Sequence, residues 1–114
     1  MIIAFGAYAQ VNPGKLYDFD SSISTRWSSP ENINGVKGAG GKENAGAKGR
    51  PSRSVAAGES LELLKANGPG MINRIWITVG DRSPEMLRSL KLEMFWDNSV
   101  KPAVSVPLGD FFGM

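Results

Sequence analysis

Two alternating segments in the second half of the chain constrain the fold most. In residues 71–79 (MINRIWITV) the odd positions are mostly apolar, and in an extended chain they share one face. The other face mixes a cation, an indole and a hydroxyl, which indicates a wet surface or a protein interface. Residues 86–95 alternate again, and turn sequences at 67–70 and 80–84 precede the two segments. A helical period also fits residues 86–94, but the flanking turns favour two strands.

Turn residues recur along the chain, which has 14 glycines and 7 prolines in 114 residues. Shorter strands are predicted at 61–64 and 103–106, and a final turn at 108–113. The total of about four or five strands is about half of the eight in a jelly roll. We therefore predict an all-β fold, a partial jelly-roll or β-sandwich. Residues 10–114 would be the N-terminal part of a β-jelly-roll domain that is incomplete at its C-terminus.

The composition excludes several kinds of site. The sequence has no cysteine and no histidine, so a Cys/His zinc site, a thiol nucleophile and a histidine base are all ruled out. We predict no metal and no cofactor. The net charge is only +2, which disfavours non-specific nucleic-acid binding.

Residues 1–9 resemble the end of a signal peptide. They are apolar and small, and Ala7-Tyr8-Ala9 has the small-x-small pattern that precedes a signal-peptidase cut. A first buried strand would also explain residues 2–5. We favour a truncated signal-peptide-like segment, with mature protein from near Gln10, and therefore a secreted or periplasmic protein.

The segment 35–49 contains six glycines and three lysines. A phosphate-binding loop needs Gly-Lys followed by Ser or Thr, between a strand and a helix, but Gly41-Lys42 is followed by Glu43. The composition instead predicts a long mobile or ligand-covering loop.

Candidate sugar contacts lie in loops and at predicted strand ends. The run Arg26–Ser29 offers a guanidinium, an indole and two hydroxyls, which suits a sugar, although it would equally suit an aromatic anchor for a surface segment. Trp96 would lie on the same strand face as Leu90 and Leu92, so it would also suit the core. Asp110 would also suit a cap of the turn at Gly109. The predicted substrate-binding residues are Trp27, Ser28, Asn32, Trp96, Asp97 and Asp110.

The order of motifs resembles glycoside hydrolase family 172, formerly the domain-of-unknown-function 2961 family. The similarity covers about residues 15–113, and its specific parts are GPGMINRIWIT (68–78) and VPLGDFFG (106–113). The less specific parts are Arg26–Ser29, the glycine-rich loop, Gly58–Ser60, Leu87–Leu90 and Trp96-Asp97.

The resemblance implies a longer tandem jelly-roll enzyme, a secreted or periplasmic retaining glycosidase that acts on fructofuranosides or arabinofuranosides and assembles as trimers or their multiples. Its catalytic glutamates follow the Gly-Asp-Phe-Phe-Gly motif, and no residue here matches them. Retaining hydrolysis needs two carboxyl groups about 5 Å apart. We therefore predict no catalytic residue here, an inactive fragment that supplies substrate contacts and an oligomer interface, and no nucleic-acid or membrane partner.

Two alternatives stay open. The first is a non-catalytic exported carbohydrate-binding β module that functions as it stands. The second, which we rank last, is a single-strand nucleic-acid binder that uses Arg74 and Trp76 on one strand face.

Overall fold

The computed structural model describes residues 21–114. The chain divides into two compact units, Met1–Pro69 and Gly70–Met114. The signal-peptide-like segment predicted at residues 1–9 lies outside the described residues. In the described part, no helix combines the length and the apolar character needed to cross a membrane.

The first unit, from residue 21 onward, consists mainly of loops. Ser29 and Asn32 form an isolated antiparallel bridge, and a short 3-10 helix spans Asn44–Gly46. The strand predicted at 61–64 is wrong. The main chain there forms no ladder with another described segment. Next to it, the N–H of Lys65 donates a hydrogen bond to the carbonyl of Ile33 at 2.9 Å.

Within residues 21–114, the α-helices and the two β-strands lie in the second unit. Helix α1 spans Pro84–Ser89, strand β1 spans Lys91–Met94, strand β2 spans Val104–Pro107, and helix α2 spans Leu108–Phe112. The two strands pair antiparallel, in a register that runs from Lys91 opposite Pro107 to Met94 opposite Val104. This small sheet is compatible with a mostly-β fragment.

Three leucines form the small core of this unit. Leu87 of α1, Leu92 of β1 and Leu108 of α2 each expose less than a tenth of their surface. Gly109 is buried beside them, and a Cβ there would lie 3.0 Å from Cβ of Leu87. The two helices therefore approach closely because position 109 has no side chain.

The strand predicted over residues 86–95 is only partly correct. Helix α1 occupies Pro84–Ser89, and only residues 91–94 form a strand. The hydroxyl of Ser83 accepts the N–H of Met86 at 3.3 Å, and Pro84 occupies the first helical turn. A capping side chain satisfies a free N–H at the helix start, and proline there loses no needed donor. Because of these local signals the chain is helical up to Ser89, although its apolar residues alternate as in a strand.

Helix α2 likewise replaces the turn predicted at 108–113. It ends at Gly113, whose φ of 71° is in the left-handed region. The N–H of Gly113 donates to the carbonyl of Asp110 at 3.2 Å, and that of Met114 to the carbonyl of Gly109 at 2.9 Å. This pair of bonds is the Schellman arrangement, which satisfies the last carbonyls of a helix.

The strand predicted at residues 71–79 forms no β pairing within the described part of the chain. Its alternation nevertheless persists in its burial. Ile75, Ile77 and Val79 are partly buried, whereas Trp76 between them is 76% exposed. The prediction that these odd-numbered residues share the more buried face is thus correct, whereas the predicted β pairing is absent from the described part of the chain.

Candidate functional site

The six predicted sugar contacts fall into two groups of three, one in each unit. Trp27, Ser28 and Asn32 belong to the first unit, and Trp96, Asp97 and Asp110 to the second. The role of all six as substrate contacts stays a prediction.

Ser28 connects two segments of the first unit, while the neighbouring Trp27 points its ring largely into solvent, with 65% of its surface exposed. The Ser28 hydroxyl lies within hydrogen-bonding distance of the carbonyl of Leu63 and, at 3.3 Å, of the carbonyl of Ile33. A hydroxyl carries one hydrogen, so it donates to one of these carbonyls at a time. Ser28 therefore holds the segment around residue 63 against its own loop.

Beside this connection lies an open groove of about 580 Å³, a volume in the range of small-molecule sites. None of the six predicted residues lines it. Arg26 belongs to the run Arg26–Ser29 that was predicted to suit a sugar, whereas Glu62 and Lys65 had no sequence signal beyond their charge. The groove is lined by Arg26, Ile33, Asn34, Gly35, Glu62, Lys65, Ala66 and Asn67.

Asn32 is buried, with 8% of its surface exposed, and its amide is engaged by its own loop. Its Oδ1 accepts the N–H of Val36 and its Nδ2 donates to the carbonyl of Val36, each at 3.0 Å. The two bonds close a ring that fixes the start of the glycine-rich loop. One amide hydrogen of Asn32 is left over for another acceptor.

The glycine-rich loop folds around the carboxylate of Glu31. That carboxylate accepts the main-chain N–H groups of three consecutive residues: Gly41, Lys42 at 3.2 Å, and Glu43 at 2.9 Å. Consecutive N–H groups that converge in this way form a nest, a backbone cavity suited to an anion. The bond from Glu43, followed by those from Gly41, Lys42 and Arg50, lowers the pKa of Glu31 because each stabilises its charged form.

In the second unit, Trp96 and Asp97 lie on the loop that joins β1 to β2. Asp97 and Asn98 have φ values of 54° and 56°, and the N–H of Ser99 donates to the carbonyl of Trp96 at 3.0 Å. Two consecutive left-handed residues are typical of the type I′ hairpin turn. The turn therefore presents Asp97 directly after Trp96, which is 48% exposed.

Asp110 lies in the first turn of α2. Its Oδ1 is 3.9 Å from Nε of Arg88, and both side chains are substantially exposed, so this ion pair is weak. On the neighbouring strand the carboxylate of Glu93 contacts Nζ of Lys91 at 2.8 Å and accepts the hydroxyl of Ser105 at 3.2 Å. Both contacts lower the pKa of Glu93, and the hydrogen bond from Lys91 has the larger effect.

Three carboxyl groups of the described residues have pKa values shifted away from that of a proton donor. A glycosidase general acid needs a raised pKa, whereas Glu31, Asp81 and Glu93 have lowered ones. For Asp81 the cause is hydrogen bonding to the backbone and side chain of Ser83. Residues 21–114 also contain no cluster of acidic residues that could hold a metal ion.

A family model described as GH172 domain-like matches residues 47–114, more than half of the chain. The matched part contains the whole second unit and one wall of the groove. Comparisons with curated proteins and with solved structures gave no match.

Proposed function

Because the chain belongs to the GH172 domain-like family, we propose that it contributes substrate contacts to a glycoside hydrolase that acts on fructofuranosides or arabinofuranosides. The family match is the observation that carries this proposal. A glycoside-hydrolase-related domain has a carbohydrate as its substrate, and the furanoside ring is our more specific inference.

We assign no catalytic residue to the described part of the chain. The carboxylate of Glu31 is enclosed by main-chain N–H groups, that of Glu93 is held by a lysine and a serine, and that of Glu43 is 2.8 Å from Nε of Arg50. Each of these carboxylates is already engaged by a cation or by hydrogen-bond donors of the protein, which leaves it poorly placed to deliver a proton to a substrate.

The hairpin loop is the part of the second unit that best suits a sugar. An exposed indole offers an apolar platform for a ring face, and a carboxylate beside it accepts hydrogen bonds from hydroxyls. Trp96 and Asp97 supply an exposed indole and a carboxylate at consecutive positions of the type I′ turn. Trp27 offers a second exposed indole in the first unit.

The same proposal includes a jelly-roll architecture, a secreted or periplasmic location and assembly as a trimer. Exposed rings support the assembly: Phe95 is 51% exposed, Phe111 37% and Phe112 41%. Apolar surface of this kind is often covered by a protein partner. Light scattering coupled to gel filtration would give the mass of the assembly.

The proposal is tested by titrating the chain with methyl fructofuranoside and methyl arabinofuranoside, followed by calorimetry or NMR. We expect binding without release of free sugar. Trp96→Ala should weaken binding about tenfold, since stacking on a ring contributes about 1–3 kcal/mol in the comparable case of nucleic-acid bases. Trp76→Ala, which removes an exposed indole of the same unit, is the matched control.

The variant Asp97→Asn distinguishes a role of the carboxylate in sugar binding from a role of the residue in the turn. Asparagine accepts the left-handed conformation as well as aspartate does, so the hairpin should keep its stability while sugar affinity falls. Turnover of a furanoside by the purified chain would contradict the assignment of no catalytic residue. Equal affinity in the Trp96 and Trp76 variants would contradict the hairpin contact.

A further inference from the structure

We propose that the groove of the first unit binds an anionic saccharide, a sugar that carries a carboxylate or a phosphate monoester. The saccharide part of this inference rests on the proposed function, and the charge part rests on the groove itself. The two differ in location, because the proposed furanoside contact on the hairpin loop belongs to the second unit.

The groove has walls that the main chain holds in place. The Ser28 hydroxyl spans the carbonyls of Ile33 and Leu63, and the N–H of Lys65 donates to the carbonyl of Ile33 at 2.9 Å. Gly35 is buried at the groove with a φ of 58°, and a Cβ there would lie 3.3 Å from Cβ of Arg26. These contacts join the segment around residues 63–65 to residues 28–35 at the groove.

The charged side chains of the groove are available to a ligand. Within the described residues, Arg26, Glu62 and Lys65 form no ion pair with a protein group. The lining of this groove of about 580 Å³ therefore includes two cations and one carboxylate. An arginine matches the two oxygens of a carboxylate or phosphate, and a lysine adds a compact positive charge.

The apolar lining is too small for recognition by stacking. Ile33 and Ala66 are the apolar side chains of the groove, and none of its lining residues is aromatic. A neutral sugar would therefore lack a platform for its ring face. Asn34, Asn67 and Glu62 can still donate to or accept from hydroxyls, so the favoured ligand combines hydroxyls with a negative charge.

The test is a titration of the isotope-labelled 114-residue chain, followed by amide chemical shifts. The probes are glucuronate, glucose 6-phosphate, methyl glucoside and inorganic phosphate. We expect the two anionic sugars to shift the amides of Gly35 and Ala66, with affinities at least about fivefold higher than that of methyl glucoside. Added salt should reduce this difference, because exposed charges are screened. The comparison of glucuronate with glucose 6-phosphate identifies which anion the groove prefers.

Removal of a positive charge and removal of the negative charge of the groove should change the affinity for an anionic sugar in opposite directions. Lys65→Gln and Arg26→Gln should each weaken binding of the preferred anionic sugar about threefold or more, as for exposed charge pairs. Glu62→Gln should tighten it by about twofold, because a like charge is removed from the groove. A substitution that merely disturbed the fold would not improve affinity. Lys37→Gln and Arg53→Gln, which remove the same charge outside the groove, are the matched controls.

The outcomes separate this inference from the proposed function. Equal affinity for methyl glucoside and the anionic sugars, weaker binding after Glu62→Gln, or equal affinity for inorganic phosphate and glucose 6-phosphate would each overturn the inference. Methyl arabinofuranoside, added in parallel, reports on the proposed function through the amides of the hairpin loop. If it binds while the groove fails, the proposed function stands alone. If only the groove binds, the furanoside proposal falls.

Discussion

At the scale of single residues, Glu31 and Gly49 organise the glycine-rich loop. The loop closes around the Glu31 carboxylate, and Gly49 lies against that carboxylate with a φ of 59°. A Cβ at position 49 would lie 2.0 Å from Oε1 of Glu31, far inside contact distance. Position 49 therefore requires glycine for two reasons, its left-handed backbone and the space that the carboxylate fills.

Substitution of Gly49 by alanine should destabilise the loop more than substitution of Gly38. Both positions have positive φ, which costs a residue with a Cβ about 1–2 kcal/mol, but nothing lies within 4 Å of a Cβ at Gly38. We expect Gly49→Ala to expel the Glu31 carboxylate and to abolish hydrogen-exchange protection of the amides at 41–43. Gly38→Ala should retain that protection. Equal protection in the two variants would contradict the role of the carboxylate.

Acidification should open the same loop. The pKa of Glu31 is lowered from its ordinary value of 4.5 in the folded loop. Its stabilising effect is therefore fully present above pH 4.5 and is lost as pH falls through the lower, folded pKa. The amide proton shifts of Lys42 and Glu43 should follow this titration. The ion pair of Glu43 with Arg50 faces the same loop, so the non-titrating variant Glu31→Gln is the control. A midpoint at or above 4.5 would refute the prediction.

At the scale of elements, helix α1 depends on its first residues. Asp81 Oδ1 accepts the N–H of Ser83 at 2.9 Å, and Ser83 in turn caps the helix. Glu85 in the first turn and Arg88 in the last turn complement the helix dipole. A helix of six residues has little stability of its own, so these terminal contacts and the burial of Leu87 decide whether it forms.

Removal of the cap should therefore be measurable. Ser83→Ala should lower the free energy of unfolding by about 1 kcal/mol, the usual cost of a lost N-cap. Ser89→Ala is the control, since the Ser89 hydroxyl donates to the carbonyl of Met86 at 2.9 Å and caps nothing. Its effect should stay within about 0.5 kcal/mol. Urea denaturation gives both values, and equal losses would show that α1 does not depend on its cap.

At the scale of the whole molecule, the sequence predicted what depends on local pattern. The strand residues of β1 and β2 were predicted from alternation on either side of a polar loop, and the motifs at 68–78 and 106–113 indicated the right family. Helix α1 was missed because a short window fits both periods. The start signal at Ser83-Pro84-Glu85 was present and would have located it.

Contacts between distant segments could not be predicted in the same way. The groove joins residues 26–35 to residues 62–67, and no local pattern links these two stretches. The loop around Glu31 is held by main-chain N–H groups, which every residue except proline carries, so its side chains leave no signature. Sequence patterns indicate which residues share an element, whereas the groove and the loop depend on which elements meet.

The folded glycine-rich loop also affects which anions can bind to its main-chain N–H groups. Its anion is tethered, because Glu31 precedes the three donors by only 10 to 12 positions. A ligand on so short a tether has an effective concentration of about millimolar or higher. While Glu31 is ionised, free phosphate in solution would have to compete with this tethered carboxylate, so the backbone cavity disfavours anions from the surroundings.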